Sequence, residues 1–111
     1  MKGRTYMNAF TDNDLIKAAA VLDALGNDVR LRIFRILVQN SNTGITPTDI
    51  SKQMDGMPRN TLSFHLSLLS NVGLCSVVKN GKQAFYKPDC RTVREVTKFL
   101  LTDCCEGGCQ C

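Results

Sequence analysis

The chain has 111 residues with a net charge of +4, and 43% of its residues are hydrophobic and 22% charged, as in ordinary folded proteins. This length predicts one domain over residues 1–111, and no apolar run of about 18 residues is present that could cross a membrane. The start lacks the apolar segment of a secretory signal, so we expect a cytoplasmic protein. The mild positive net charge permits a nucleic-acid partner without requiring one.

Residues 1–10 are predicted to form a flexible arm, and a first helix follows on residues 11–25. Thr11 and Asp14 have the spacing of a capping box, in which two side chains satisfy free amides at a helix start. An apolar stripe at helical spacing then predicts the face that meets the core: Leu15, Ala18, Leu22 and Leu25.

Two further helices are predicted before residue 55. Asn27 fits the N-cap of the second helix, on residues 27–40, and the inward side chains are predicted to be Val29, Ile33, Ile36 and Leu37. A short third helix follows on residues 47–54. Thr46 is its predicted N-cap, Pro47 its first residue, and Asp49 the side chain that completes a capping box.

The second half of the chain predicts a helix, a hairpin and a last helix. Residues 58–72 form the fourth helix, with a core stripe of Leu62, Leu66 and Leu69. Asn80-Gly81 is the strongest two-residue hairpin signal and joins two β-rich runs within residues 74–87. The last helix is predicted on residues 91–105, with Val93, Val96 and Leu100 on one face. This order predicts a mainly α fold with a small β-hairpin, a winged helix-turn-helix whose second helix enters the major groove of DNA.

The outward face of the fourth helix carries most of the predicted DNA contacts. Those on the helix are Arg59, Asn60, Thr61, Ser63, Phe64 and Ser67, and those flanking the hairpin turn are Lys79, Lys82 and Gln83. Asparagine can read adenine by two hydrogen bonds, while the cationic side chains fit phosphates; the alternative for the lysines is a solvated hairpin tip. Phe64 either contacts a thymine methyl group or folds back on its own helix or the wing.

Two other residues are interpreted as structural. His65, the only histidine, lies beside the core stripe of the fourth helix, so we expect a satisfied side chain and not a metal ligand. Cys75 lies in the apolar run GLCSVV and is interpreted as a small core hydrophobe.

The chain ends in TDCCEGGCQC, which places Cys104, Cys105, Cys109 and Cys111 among the last eight residues. In a reducing cytoplasm such a cluster more often binds a metal or senses redox than forms structural disulfides. Residues 102–111 are therefore predicted to be a sensing tail. Because the sequence has no recognisable catalytic base partner, cofactor loop or nucleophile elbow, we do not expect an enzyme.

Three stretches resemble the ArsR/SmtB family of metalloregulatory repressors over roughly residues 12–101: NDVRLRIFRIL, TPTDISKQMDGMPRNTLSFHLSLLSNVGL and the wing KNGKQAFYK. The resemblance implies a homodimer joined through the first and last helices, which binds double-stranded operator DNA and leaves it on binding a metal or metalloid. Asp28 stands where the family usually has a proline, a small change in the first turn of a helix.

The family places its sensing sites differently in different members. The region GITPTDISKQM has no thiol, and the last helix has no histidine, so two of the family's usual sites are empty here. The end LLTDCCEGGCQC resembles a third subgroup, arsenite-responsive repressors with a vicinal cysteine pair at the end of the last helix. The resemblance therefore implies a trivalent arsenical as inducer.

Arsenite bound by proteins is held by three thiolates. Cys104 and Cys105 supply two sulfurs, Gly107 and Gly108 let the chain double back, and Cys109 or Cys111 supplies the third. Methylarsenite needs only two sulfurs, and antimonite has similar chemistry. The same thiolates could also hold cadmium, lead, copper(I) or zinc, form a redox-responsive disulfide, or serve a metal carrier or small reductase.

Overall fold

The computed structural model describes residues 10–103, which form five helices and a two-stranded hairpin, the predicted winged helix-turn-helix. The elements in chain order are α1 (Asp12–Leu25), α2 (Asp28–Gln39), α3 (Pro47–Gln53), α4 (Arg59–Asn71), β1 (Cys75–Asn80), β2 (Gln83–Pro88) and α5 (Cys90–Leu101). The fold class and the type of each described element predicted from the sequence are confirmed.

The start of α1 is capped as predicted, but its buried face is partly different. The Thr11 hydroxyl accepts from the Asp14 amide at 3.2 Å, and the Asp14 carboxylate accepts from the Thr11 amide at 2.8 Å. The buried residues of α1 are Ala18, Val21 and Ala24, whereas Leu15 and Leu22 are 47% and 42% exposed. The small side chains form the face packed on α4 and α5, so the predicted stripe was wrong at both leucines.

The starts of α2 and α3 follow the sequence signals with one exception. The Asn27 side chain accepts from the amides of Val29 and Arg30, both at 3.0 Å. The Thr46 hydroxyl accepts from the Asp49 amide at 3.3 Å, which confirms the predicted cap. The capping box at this helix was wrong in its second half, because the Asp49 carboxylate lies 4.0 Å from Lys52 Nζ instead.

The core lies between the five helices and the start of the wing. Its largest fully buried side chains are Ile33, Leu37, Ile50, Leu62, Leu69 and Leu74. Cys75 is buried beside them, with its sulfur 3.8 Å from the Leu66 carbonyl oxygen. Burial raises the pKa of the Cys75 thiol to about 11, so this thiol stays protonated and serves as a small core side chain, as predicted.

The wing is an antiparallel hairpin whose turn is shifted by one residue from the prediction. Asn80 pairs with Gln83, so the two-residue loop is Gly81-Lys82 and not Asn80-Gly81. Gly81 has φ +65°, and a positive φ at the first loop position alone fits a type II′ turn, which requires glycine there. Ile45 joins the base of the wing through reciprocal backbone hydrogen bonds with Tyr86, at 3.0 and 2.8 Å.

The last helix is shorter than predicted at its C-terminal end. It begins at Cys90 behind the Asp89 cap and ends at Leu101, whereas the sequence predicted helix through residue 105. Thr102 has φ −59° and ψ +134°, and Asp103 has φ +71°, so the chain leaves helical geometry there. Leu100, predicted to share a face with Val96, is 54% exposed, whereas Val96 is buried. Most of the predicted arm, residues 1–9, and the four tail cysteines lie outside the described residues.

Candidate DNA-binding interface

The angle between α3 and α4 is fixed by hydrogen bonds across the turn that joins them. The Ser51 hydroxyl donates to the Met57 carbonyl at 2.7 Å, and the Gly56 amide donates to the Ser51 carbonyl at 2.8 Å. Asp55 and Gly56 both have positive φ, which reverses the chain within this short turn. Buried leucines then hold one side of α4 against the core, so its opposite side is presented to solvent.

The predicted DNA-contacting side chains of α4 all lie on its exposed side. They are Arg59, Asn60, Thr61, Ser63, Phe64 and Ser67. The core stripe Leu62, Leu66 and Leu69 is buried on the other side, as predicted. The structure thus brings six of the nine predicted residues onto one helix, and their contact with DNA stays a prediction.

Asn60, the predicted adenine reader, is engaged with its own helix start. Its Oδ1 accepts from the Thr61 amide at 2.9 Å. Reading adenine with two hydrogen bonds uses both the oxygen and the nitrogen of the side-chain amide. Bidentate reading by Asn60 therefore requires this local hydrogen bond to be broken or shared.

Arg59 is held by a residue that the sequence analysis missed. Its Nη1 donates to the Thr48 hydroxyl on α3 at 3.0 Å. Both residues are exposed, and they are 11 positions apart, so no helical periodicity links them. The only signal in the sequence was that α3 is short and is followed by a tight turn, which places α3 beside α4.

Phe64 has features of both predicted arrangements. Its ring makes an edge contact with His65, at a centroid distance of 5.5 Å and an interplanar angle of 64°. The Phe64 side chain is nevertheless 59% exposed. Most of the ring remains accessible to a partner on the outward side of α4.

Lys79, Lys82 and Gln83 lie at the exposed end of the wing, close to its turn. Neither lysine forms an ion pair within residues 10–103, where Lys52 pairs with Asp49 and Arg91 with Asp89. Their charges are therefore not neutralised locally. This suits phosphate contacts but equally fits the solvated tip considered above, so the contact remains a prediction.

His65 links the recognition helix to the first two helices, a role that sequence reasoning did not identify. Its Nδ1 lies 3.4 Å from Nη1 of Arg30, whose Nε donates to the Ala24 carbonyl at 2.8 Å. Burial and the neighbouring Arg30 charge both lower the pKa of His65. Within the described part of the chain there is no group of three or more histidine, cysteine or acidic side chains that could hold a metal.

Comparison with known proteins assigns this architecture to a family. Residues 25–78 match the helix-turn-helix domain model. The uncharacterized HTH-type transcriptional regulator MJ1325 of Methanocaldococcus jannaschii is 30% identical over 86 residues, which are 76% of this chain and 91% of that protein. The chain belongs to the helix-turn-helix transcriptional regulators. A regulator of this class binds DNA, and contact of the exposed α4 face with DNA stays a prediction.

Solved structures show that this regulator has an ArsR-like fold. An ArsR-like transcriptional regulator from Rhodococcus sp. RHA1 superposes with a TM-score of 0.73 at 20% identity, covering 82% of each chain. The homodimeric winged helix-turn-helix domain Mb0332 of Mycobacterium bovis, a possible ArsR-family regulator, superposes with a TM-score of 0.65 at 24% identity, covering 100% of this chain and 99% of that one. None of the helices within residues 10–103 has the length and apolarity to span a membrane.

Proposed function

We propose that this regulator is a homodimeric repressor that releases its operator when a trivalent arsenical binds the C-terminal cysteines. The inducer is arsenite, antimonite or methylarsenite. The observation that carries the proposal is the position of the thiols. Cys104 and Cys105 come two and three residues after Thr102, where the chain leaves the helical geometry of α5. A thiol cluster at this position connects directly to a helix packed on the DNA-binding core.

The chemistry of the donor set fits such a ligand. Thiolates are soft ligands and select soft acceptors. Cys104 and Cys105 supply two sulfurs from adjacent residues, which is enough for a methylarsenical. Gly107 and Gly108 allow backbone angles that other residues avoid, so that Cys109 or Cys111 can return to the same centre.

The proposed dimer uses the exposed apolar side chains of α1 and α5. These are Leu15, Ile16 and Leu22 on α1 and Leu100 and Leu101 on α5, each more than 40% exposed in the single chain. Helix α1 packs on α5, so their outer sides are neighbours on one surface. Burying such side chains in a second copy removes apolar area from water, and the similar domain of Mycobacterium bovis is itself homodimeric.

Contacts within the subunit offer a route from the tail to the recognition helix. Near the end of α5, the ring of Phe99 packs edge-on against that of Phe10, a residue just before α1. The two ring centroids are 5.1 Å apart. At the far end of α1, the Ala24 carbonyl is bound by Arg30, which also reaches His65 on α4. Thr92 lies at the start of α5. Its hydroxyl donates to the carbonyl of Gly73, which comes just after α4, at 2.6 Å.

We infer that binding at the tail is transmitted to α4 through these contacts. A changed packing of α5 against α1 and its dimer partner shifts the two recognition helices from the spacing of about 34 Å that successive major grooves require. A coupling of about 1–3 kcal/mol is typical of allosteric proteins and changes occupancy about 5- to 150-fold. Direct electrostatic repulsion of DNA is a weaker route, because the tail adds only Asp103 and Glu106 to the acidic residues.

The decisive measurement is operator binding by the reduced full-length chain under titration with candidate inducers. DNA fragments from upstream of the gene provide the operator, and arsenite, methylarsenite, antimonite, cadmium and zinc are added separately. Release by trivalent arsenicals at lower concentrations than by cadmium or zinc supports the proposal. Release by peroxide alone, with no response to arsenicals under reducing conditions, would replace it with a redox-responsive repressor.

Serine substitutions test the site itself. The double variant Cys104→Ser/Cys105→Ser is expected to repress and bind DNA like the parent but to ignore arsenicals, because a serine hydroxyl does not replace a soft thiolate. The matched control is Cys90→Ser, which changes a half-buried thiol at the other end of α5. Release of the double variant at the parent's arsenite concentration would exclude the proposed site.

A further inference from the structure

We infer that Thr48 is a positioning residue for DNA binding, which holds the Arg59 guanidinium for a contact with a backbone phosphate and not with a base. The inference rests on the proposed interface at α4 and adds a residue of the other helix of the motif. It starts from one hydrogen bond: Arg59 Nη1 donates to Thr48 Oγ1 at 3.0 Å.

The direction of the Arg59 side chain decides the type of contact. Arg59 is the first residue of α4, and its guanidinium reaches across to α3. In helix-turn-helix complexes the first helix of the motif crosses the DNA backbone, while the start of the second contacts base edges. A guanidinium held against α3 is therefore placed beside the backbone, next to the base-reading face that Asn60 and Phe64 occupy.

The charge of Arg59 is available for this contact. No carboxylate pairs with it within residues 10–103, whose ion pairs are Asp49 with Lys52 and Asp89 with Arg91. The bond to Thr48 uses one Nη1 donor and leaves the other guanidinium N–H groups free for two phosphate oxygens. An uncharged hydroxyl is a suitable partner because it orients the side chain without competing electrostatically with phosphate.

The position of Thr48 is itself well fixed. It lies in the first turn of α3, whose start is capped by Thr46 and whose end is tied to the following turn by Ser51. Thr48 is exposed, so it contributes no buried surface to the core. A Thr48→Val substitution removes the hydroxyl while nearly preserving the side-chain shape, so the domain is expected to keep its melting temperature.

The test is a double-substitution cycle measured with a mixed-sequence DNA duplex and the reduced full-length chain. Thr48→Val is expected to weaken binding about 2- to 10-fold, the effect of about one hydrogen bond, and Thr48→Ser to restore it. Arg59→Ala is expected to lower the slope of log affinity against log salt by about 1, as for one lost phosphate contact. In the Arg59→Ala background, Thr48→Val should have no further effect. Thr43→Val, which removes a threonine hydroxyl that also donates one hydrogen bond but lies away from Arg59, is the matched control.

Each other outcome overturns the inference. Unchanged binding by Thr48→Val excludes a positioning role, and an equal loss in the Arg59→Ala background shows that Thr48 acts without Arg59. If Arg59→Ala binds DNA with the affinity of the parent, the phosphate contact of Arg59 is excluded. The proposed regulatory function is not affected by that result. A parent chain that binds no duplex would overturn both proposals together.

Discussion

Nη1 of Arg30 on α2 lies 3.4 Å from Nδ1 of His65 on the recognition helix. Arginine is always protonated and only donates, so His65 accepts at Nδ1 and must be neutral for this contact to form. Because Arg30 also binds the Ala24 carbonyl, one side chain connects the end of α1 to α4. Protonation of the His65 imidazole would therefore remove this contact between α2 and α4.

The first prediction is that stability falls as the pH falls below about 6.5, the value near which an unperturbed histidine titrates. The pKa of His65 is lowered by burial and by Arg30, so the unfolded chain takes up the proton more readily than the folded one. The free energy of unfolding is therefore greatest above this pH and declines below it. Urea denaturation across a pH series measures the effect.

His65→Gln is the control for this prediction, since it keeps a hydrogen-bond acceptor without a titrating group. Its stability should change less between about pH 7.5 and 5.5, where few other side chains titrate. His65 is the only histidine in the sequence, which makes the assignment direct. An identical pH dependence in parent and variant would contradict the prediction.

The second prediction contrasts two glycines with positive φ. A Cβ at Gly44 (φ +79°) would lie 3.0 Å from the Phe85 Cβ atom, whereas a Cβ at Gly56 (φ +76°) would meet nothing within 4 Å. Both alanine variants carry the cost of left-handed backbone, about 1–2 kcal/mol. Gly44→Ala is expected to lower the free energy of unfolding by about 1–3 kcal/mol more than Gly56→Ala, because the wing must move to make room for the Cβ atom. Equal losses of stability for the two variants in thermal or urea unfolding would show that the wing moves without an energetic cost.

The third prediction separates base reading from phosphate contact. Asn60→Ala is expected to weaken operator binding by about 1–3 kcal/mol and to relax base preference, while Lys82→Ala weakens all duplexes alike and lowers the salt slope by about 1. Lys17→Ala, an exposed lysine on α1, serves as the control. Unchanged affinity and salt dependence in both interface variants would rule out this docking of α4 and the wing.

The fourth prediction concerns the proposed dimer. Leu22→Glu and Leu100→Glu each place a charge in the shared surface of α1 and α5, so sedimentation should show monomers where the parent is a dimer. Operator affinity should fall by about 100-fold, since two linked recognition helices bind far more tightly than one. Val78→Glu, at an exposed valine of the wing, should stay dimeric. A dimeric Leu22→Glu/Leu100→Glu double variant would place the interface elsewhere.

The fifth prediction identifies the third sulfur. Either Cys109→Ser or Cys111→Ser should abolish release by arsenite while release by methylarsenite, which needs two sulfurs, survives. The other single variant should respond like the parent. Operator release measured side by side with both arsenicals gives the assignment. Loss of the methylarsenite response in both variants would mean that the adjacent pair Cys104 and Cys105 is not sufficient for binding.

The sequence patterns that predicted the structure correctly were local. Thr11, Asn27 and Thr46 cap helices as predicted because capping depends on side chains and amides two or three residues apart. The buried stripe of α4 was also correct, since its leucines repeat at helical spacing over about two turns. The turn of the wing shifted by one residue because strand pairing, and not the Asn-Gly signal alone, sets which residues form the loop.

By itself, the sequence determined the order of the elements, the outward face of α4 and the thiol cluster behind the last helix. These features depend on periodicity, capping and residue chemistry within short segments. Only the tertiary structure decided that Leu15 and Leu22 are exposed while Val21 and Ala24 are buried, because the packing of α1 on α2, α4 and α5 selects its inner face. The contacts of Arg30 with His65 and of Thr48 with Arg59 join residues 35 and 11 positions apart. Such pairs have no periodic signal, since they arise only when separate helices pack.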